Sequence, residues 1–279
     1  MTPDSRIQTC ALCPKLCRHV CPVAVGTGRE AATPTQIMTT LYRWTQGEVS
    51  PELAGAAVSL CTDCGACEDA CGVGQPVSEI LSSARLSLTE PAAISELNRV
   101  EGGATLVAIE CDDRRWSDAL STQLGRGVAR LRTTDHLGVA RMDHISTATQ
   151  HLVAIRDRLG GRTAVVSCHG CARVTEAAGI KTRHLMELVP MAPTGTVHHP
   201  CHGPRLDAAT PPEALACCGA GGPLSRMHPE LAEDLRAQAI ERLGEDQACT
   251  TDSRCASHLR AGGLNIDDPV SHLLSLAGQ

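Results

Sequence analysis

The sequence predicts an α-helical N-terminal part organised around two sets of four cysteines, followed by an α/β part built on a parallel sheet. Three observations carry this. Cys10, Cys13, Cys17 and Cys21 form one tight run, and Cys61, Cys64, Cys67 and Cys71 form a second. From about residue 103, short β-rich runs alternate with helical stretches. Cys111, Cys168, Cys201 and, a few residues on, Cys255 fall at or beyond the ends of predicted strands.

The second run reads C-x2-C-x2-C-x3-C. Thiolates at this spacing wrap three corners of one [4Fe–4S] cube, and the fourth crosses to a neighbouring cluster in two-cluster ferredoxins. Gly65 stands where the loop must turn closely around its cluster. The first run reads C-x2-C-x3-C-x3-C-P, one residue longer than the usual pattern between Cys13 and Cys17. The crossover rule gives Cys10, Cys13, Cys17 and Cys71 to one cluster, and Cys61, Cys64, Cys67 and Cys21 to the other. The alternative is a pair of zinc sites. Zinc modules usually set two separated pairs around the ion, whereas each run here offers four closely spaced thiols. Between the runs, Thr33-Pro34 and Ser50-Pro51 place a cap residue before Pro at the first helical position, so two helices join the clusters.

In the second part, residues 105–110, 127–132, 163–168, 195–199 and 247–252 read as strands. Residues 113–124, 141–159, 171–179, 229–243 and 268–277 read as helices. Such alternation implies a parallel sheet covered by helices, with ligands gathering at the carboxyl ends of its strands.

Composition narrows the function classes. The chain has 279 residues, 16 cysteines, no Phe, 1 Tyr and 2 Trp, and a net charge of −6. An acidic chain with so few stacking rings and no long basic run is a poor nucleic-acid binder. No apolar run is long enough for a transmembrane helix. The polar start, MTPDSRIQTC, does not read as a secretory signal. Sixteen cysteines without an export signal point to a reducing, cytoplasmic setting and to metal or redox chemistry rather than structural disulfides. Gly219 to Gly222 lack the spacing and the Lys-Ser/Thr continuation of a phosphate loop.

Several segments carry a family resemblance. His198-His199-Pro200-Cys201-His202 resembles the H-x-P-C-H segment of the cysteine-rich CCG domain, and Cys217-Cys218-Gly219-Ala220-Gly221-Gly222 resembles its CCGxGG segment. Asp252-Ser253-Arg254-Cys255 resembles its closing cysteine. Cys168-His169-Gly170-Cys171 looks like the C-x-x-C that ends a first CCG repeat, and His184-Leu185-Met186-Glu187-Leu188 like the helix that follows it. The chain therefore resembles iron–sulfur oxidoreductase subunits of the heterodisulfide reductase and glycolate oxidase type. The resemblance implies a helical two-[4Fe–4S] ferredoxin domain over 1–100 and a tandem CCG-type α/β domain over 101–279. Its first repeat would span 101–192 and its second 193–279.

The departures define the expectations. A full first repeat would carry a Cys-Cys pair between Cys111 and Cys168, and Thr134 to Gly138 stand in its place without a cysteine. The first repeat is thus expected to have lost its cluster, leaving Cys111, Cys168 and Cys171 as candidate zinc ligands, with a fourth such as His169. The second repeat is short between Cys201 and Cys217, where a helix and a strand are expected to be missing. Its last motif offers Cys255 with Cys249 six residues earlier, not a close pair. Cys201, Cys217, Cys218 and Cys255 remain as ligands for a third iron–sulfur cluster, cubane or non-cubane, or for zinc. One of His198, His199 and His202 is expected beside that centre, as a ligand or as a hydrogen-bond partner.

The expected function is electron transfer, as a subunit of an oxidoreductase complex rather than a complete enzyme. No flavin or nicotinamide fingerprint is present, so a flavoprotein or a quinone-linked membrane partner would perform the substrate chemistry. The alternative is a heterodisulfide-reductase-like thiol or disulfide enzyme, which the missing Cys-Cys pair disfavours. A third reading is a partner-docking protein with an inactive CCG half.

Overall fold

The computed structural model describes residues 5–14, 16–88, 100, 103–111, 114–132, 145–203, 217–244 and 247–278. The described N-terminal residues are helical. They form α1 (Ser5–Leu12), α2 (Pro22–Thr27), α3 (Pro34–Thr45), α4 (Pro51–Ser59), α5 (Ala66–Asp69) and α6 (Val77–Leu88). A 3-10 turn at Leu16–Val20 precedes α2. The two Pro-led helices start where their caps predict. The Thr33 hydroxyl accepts from the Gln36 N–H at 3.3 Å, and the Ser50 hydroxyl accepts from the Leu53 N–H at 3.3 Å. Their apolar faces meet in a core of Ile7, Val23, Ile37, Met38, Leu41, Val58, Ile80 and Leu81.

The following part is α/β. It contains β1 (Leu106–Glu110), α7 (Ser117–Leu124), β2 (Val128–Arg132), α8 (Ile145–Leu159), β3 (Thr163–Val166), α9 (His169–Ala177), β4 (Thr182–His184) and α10 (Leu185–Leu188). Then come β5 (Thr196–His198), α11 (Leu224–Met227), α12 (Pro229–Leu243), β6 (Ala248–Thr250), α13 (Ser253–Arg260), β7 (Ile266–Asp267) and α14 (Pro269–Leu276). Among the described residues, β2-β1-β3-β4 form one sheet and β5-β6-β7 another, all pairs parallel. All five residues of β1 are buried. Val107 and Ile109 face one apolar cluster and Leu106 and Ala108 another, as expected for a strand covered on both faces.

Several elements differ from the sequence reading. β4 and β7 are only 3 and 2 residues long, too short to show a periodicity. The helix expected over 171–179 starts two residues earlier, because the Cys168 sulfur caps it by accepting from the Cys171 N–H at 3.2 Å. The helix expected from 113 begins at Ser117, where Glu110 Oε1 accepts the N–H groups of Trp116 and Ser117. Residues 141–144, the Thr134–Gly138 stretch and most of the Cys201–Cys217 connection lie outside the described residues.

The two parts share a core. Leu224, Leu231 and Leu235, from α11 and α12, pack into the helical N-terminal cluster. Ser59 Oγ and His228 Nε2 are 2.8 Å apart, and Gln238 Nε2 donates to the Gly26 carbonyl at 2.6 Å. A chain that buries apolar side chains across this junction fixes the N-terminal cysteine loops against the α/β part. At the far end, Arg114 donates two hydrogen bonds to Asp268, at 2.8 and 2.9 Å, and Arg260 donates a third at 2.8 Å. Among the described residues, no helix is long and apolar enough to cross a membrane.

Candidate metal centres

The cysteines are gathered by loops and helix starts. Cys10 lies on α1, Cys17 in the 3-10 turn, and Cys71 just beyond α5. Burial pushes the Cys10 thiol up to about 11, with further upward pushes from Cys71, Cys13 and Cys17. These four sulfurs therefore share one electrostatic neighbourhood, with Cys71 drawn back across from the second run. The Cys71 sulfur accepts the Gln75 N–H at 3.3 Å, and such backbone donors hold its thiol below the ordinary range.

A second neighbourhood holds Cys21, Cys61, Cys64 and Cys67. Cys21 precedes α2, whose first residue is Pro22. Cys61 and Cys64 lie in a loop in which Asp63 (φ 59) and Gly65 (φ 78) take left-handed conformations before α5. Burial raises the Cys64 and Cys67 thiols, and neighbouring groups raise them further: Cys217, Cys61 and Cys21 for Cys64, and Cys61, Cys64, Cys17 and Glu68 for Cys67. Burial also raises Cys61, against an opposing pull from Arg85. Arg85 is 1% exposed and donates to the carbonyls of Val58 and Cys61, at 3.0 and 3.4 Å. Four crowded, half-buried thiols cannot all ionise unaided. Cations bound among them would displace the protons and cancel the repulsion. The donor set thus fits a [4Fe–4S] cluster at each place, with the sulfurs as ligands.

A third gathering lies at the carboxyl ends of β5 and β6. Cys201 follows β5, Cys217 and Cys218 precede α11, and Cys255 lies in the first turn of α13. They act on one another in pairs. The Cys201 thiol donates a hydrogen bond to the Cys217 sulfur, and the Cys255 thiol donates one to Cys218. A hydrogen bond from Cys255 and the facing His198 hold the Cys218 thiol well below its usual range, against burial. Ligand atoms of His198, Cys218 and Cys255 lie within 4.8 Å of one another. The Gly219 N–H donates to the Cys217 sulfur at 3.4 Å. The Asp252 carboxylate caps α13, accepting from the N–H groups of Arg254 and Cys255 at 2.9 and 3.1 Å. Of the three candidate histidines, His198 faces the thiols. His202 instead meets Arg173, 2.9 Å away, and burial with that cation pushes it down to about 4. Cys249 is buried inside β6 and joins none of these groups: its side chain meets the surroundings of Thr194 and Asp267.

This third gathering touches the second. Cys64 acts on Cys201, and Cys217 acts on both Cys21 and Cys64. Built Cβ atoms on Gly221 and Gly222 would fall 2.7 Å from the Thr62 carbonyl oxygen and 2.6 Å from that of Cys61. Only residues without side chains let these loops close.

Cys111, Cys168 and Cys171 form a fourth group, with all three sulfurs buried and within 4.8 Å of one another. His169 stays outside it. Its ring stacks on that of His184, with centroids 4.0 Å apart, and its Nε2 lies 3.1 Å from Thr251 Oγ1.

Residues 6–75 match the family model of the 4Fe-4S dicluster domain. This is an iron–sulfur protein. The match spans both N-terminal cysteine runs of the iron–sulfur protein and supports electron transfer as its chemistry. No curated protein and no solved structure matches the chain. Arg85 is the site residue that sequence reasoning missed. Its signal is an arginine set within the apolar face of VSEILSSARLSL, directly after the second cysteine run.

Proposed function

We propose that the chain is the electron-transfer subunit of an oxidoreductase complex, in which two N-terminal [4Fe–4S] clusters communicate with a third centre in a CCG-type domain. In this reading Cys10, Cys13, Cys17 and Cys71 hold the first cluster, and Cys61, Cys64, Cys67 and Cys21 the second. Cys201, Cys217, Cys218 and Cys255 hold the third, with His198 beside Cys218. The clusters supply single-electron carriers. The protein's residues set their potentials by burial, by hydrogen bonds to sulfur and by nearby charge.

The observation that carries the reading is the contact between the second and third gatherings, with Gly222 against the Cys61 carbonyl and Cys217 acting on Cys64. In this reading Cys201, Cys217, Cys218 and Cys255 supply one thiolate for each iron of a four-iron centre, and His198 is left to hydrogen-bond to Cys218. A flavoprotein or quinone-linked partner would supply or accept the electrons.

Iron and sulfide analysis of the anaerobic Cys217→Ser/Cys218→Ser variant tests this. The wild type should carry about twelve irons and the variant about eight, counting four per cluster. The N-terminal clusters of the variant should still reduce with dithionite. Equal iron in both proteins would contradict the third centre.

A further inference from the structure

Two of the cysteine loops meet over a polar bridge supplied from a third element. Arg173 lies on α9, which follows β3 of the first sheet. Its Nη1 stands 2.9 Å from the ring nitrogens of His202, the residue after Cys201. The same Nη1 stands 3.9 Å from Oδ2 of Asp63, which lies between Cys61 and Cys64. The His202 ring closes the triangle by donating to the Asp63 carbonyl. Resting on the three-centre reading above, we propose that Asp63, Arg173 and His202 act as one positioning unit, which holds the second cluster and the third centre against each other and sets their reduction potentials together.

Asp63 is the one non-glycine residue with a left-handed φ among the described residues. A loop that needed only a tight turn would take Gly there without strain. Asp is tolerated in that conformation, and here every polar part of it meets a partner. Its N–H donates to the Cys61 sulfur at 3.3 Å. Its carbonyl accepts from His202. Its carboxylate, 7% exposed, faces Arg173. The same carboxylate acts on the Cys61 thiol and pushes it up. Burial and the Arg173 cation keep the His202 ring neutral. A neutral imidazole has one N–H, for the Asp63 carbonyl, and one lone pair, for the guanidinium.

Hydrogen bonds to ligand sulfur and nearby charges are the means by which a protein tunes a cluster. Asp63 applies both to the second cluster. Arg173 reaches that cluster through Asp63, and the third centre through the loop of Cys201. A cation at the junction stabilises an added electron on either side, and the Asp63 carboxylate opposes it on the side of the second cluster. Loss of the cation therefore lowers both potentials, and loss of the anion raises that of the second cluster. The transfer served is balanced simply: one electron leaves one centre and enters the other, no bond forms or breaks, and no proton moves.

Anaerobic redox titration of the full chain, followed by EPR with iron counted first, tests the proposal. Arg173→Gln should shift the equilibria of the second cluster and the third centre about threefold to tenfold toward the oxidised state, about 30–60 mV lower for one-electron couples, and leave the first cluster unmoved. Arg173→Lys keeps the charge and should recover most of the shift. Asp63→Asn keeps the backbone bonds and the tolerance for a left-handed φ. It should move the second cluster by a similar factor in the opposite direction. A structural role alone would move both variants the same way. Shifts of the same sign, unchanged potentials, an equal shift of the first cluster, or loss of iron from Asp63→Asn would each overturn the proposal. The Asp63→Asn result decides the matter even where Arg173→Gln fails to fold. A wild type with about eight irons would overturn the third centre and this unit with it, whereas about twelve irons with unmoved potentials would overturn the unit alone.

Discussion

Gly222 rests against the carbonyl oxygen of Cys61: a Cβ built on it would stand 2.6 Å from that oxygen, and its φ of +60 already disfavours a side chain. This contact joins the loop of the second cysteine set to the CCGAGG segment. Gly222→Ala should therefore part the two loops. Left-handed backbone alone costs about 1–2 kcal/mol for a residue with a Cβ. The expected outcome is retention of about eight irons in the N-terminal clusters, with the third centre lost or shifted in potential. Iron analysis and a redox titration followed by EPR check it.

Arg85 is buried beside Cys61. Its positive charge favours the more negative, reduced state of any cluster bound there. Arg85→Met should lower the reduction potential of one N-terminal cluster and leave the other in place. Potentiometric titration of wild type and variant reads the shift; an unchanged or raised potential would count against the placement.

Asp252 holds three backbone donors at once, the N–H groups of His169, Arg254 and Cys255. Asp252→Ala should cost about 1–2 kcal/mol, as loss of a strong helix cap does. Asp252→Asn should recover most of it, because Asn also caps. Denaturant unfolding of the anaerobic protein measures both.

Much of this arrangement is legible in the sequence, and the remainder is illegible for physical reasons. Thr33 and Ser50 announce their helices, because a cap before proline is a local device. The run Leu106–Glu110 announces a buried strand through its composition. Two-residue β7 announces nothing, since it exists only by pairing with β6. The grouping of Cys71 with Cys10 follows from ferredoxin spacing. The approach of Cys217 to Cys21 and Cys64 does not, because it depends on α12 packing across the helical core. His198 and His202 look alike in sequence, yet one faces thiols and the other Arg173. Tertiary contacts alone separate them.

Asp268 has no exposed side-chain surface and lies between Arg114 and Arg260. Burial pushes its carboxyl up, but the hydrogen bonds and charges of Arg114 and Arg260 prevail and hold it below the ordinary carboxylate range. Asp268→Ala should cost about 1.5–3 kcal/mol, as loss of hydrogen bonds between charged groups does, because Arg114 and Arg260 are both partly exposed and stay hydrated. The pH dependence has a definite sign. The unfolded carboxyl takes up its proton near pH 3.9 and the folded one only at lower pH. Its contribution is thus complete above that value and is lost as pH falls through the depressed folded pKa. Wild type should lose more stability than Asp268→Asn in that window, as measured by unfolding at a series of pH values.

Cys64→Ser should remove one N-terminal cluster, about four irons, and destabilise the helices packed around it, because bound metal supports the fold. Thermal unfolding of the anaerobic protein reads the second effect.

Iron and acid-labile sulfide, counted per chain in wild-type protein kept from oxygen, decide whether the cysteine sets hold iron–sulfur clusters. A brown protein with about twelve irons and a matching amount of sulfide is the predicted result. A colourless protein with zinc at the N-terminal cysteines, and no sulfide, would contradict it.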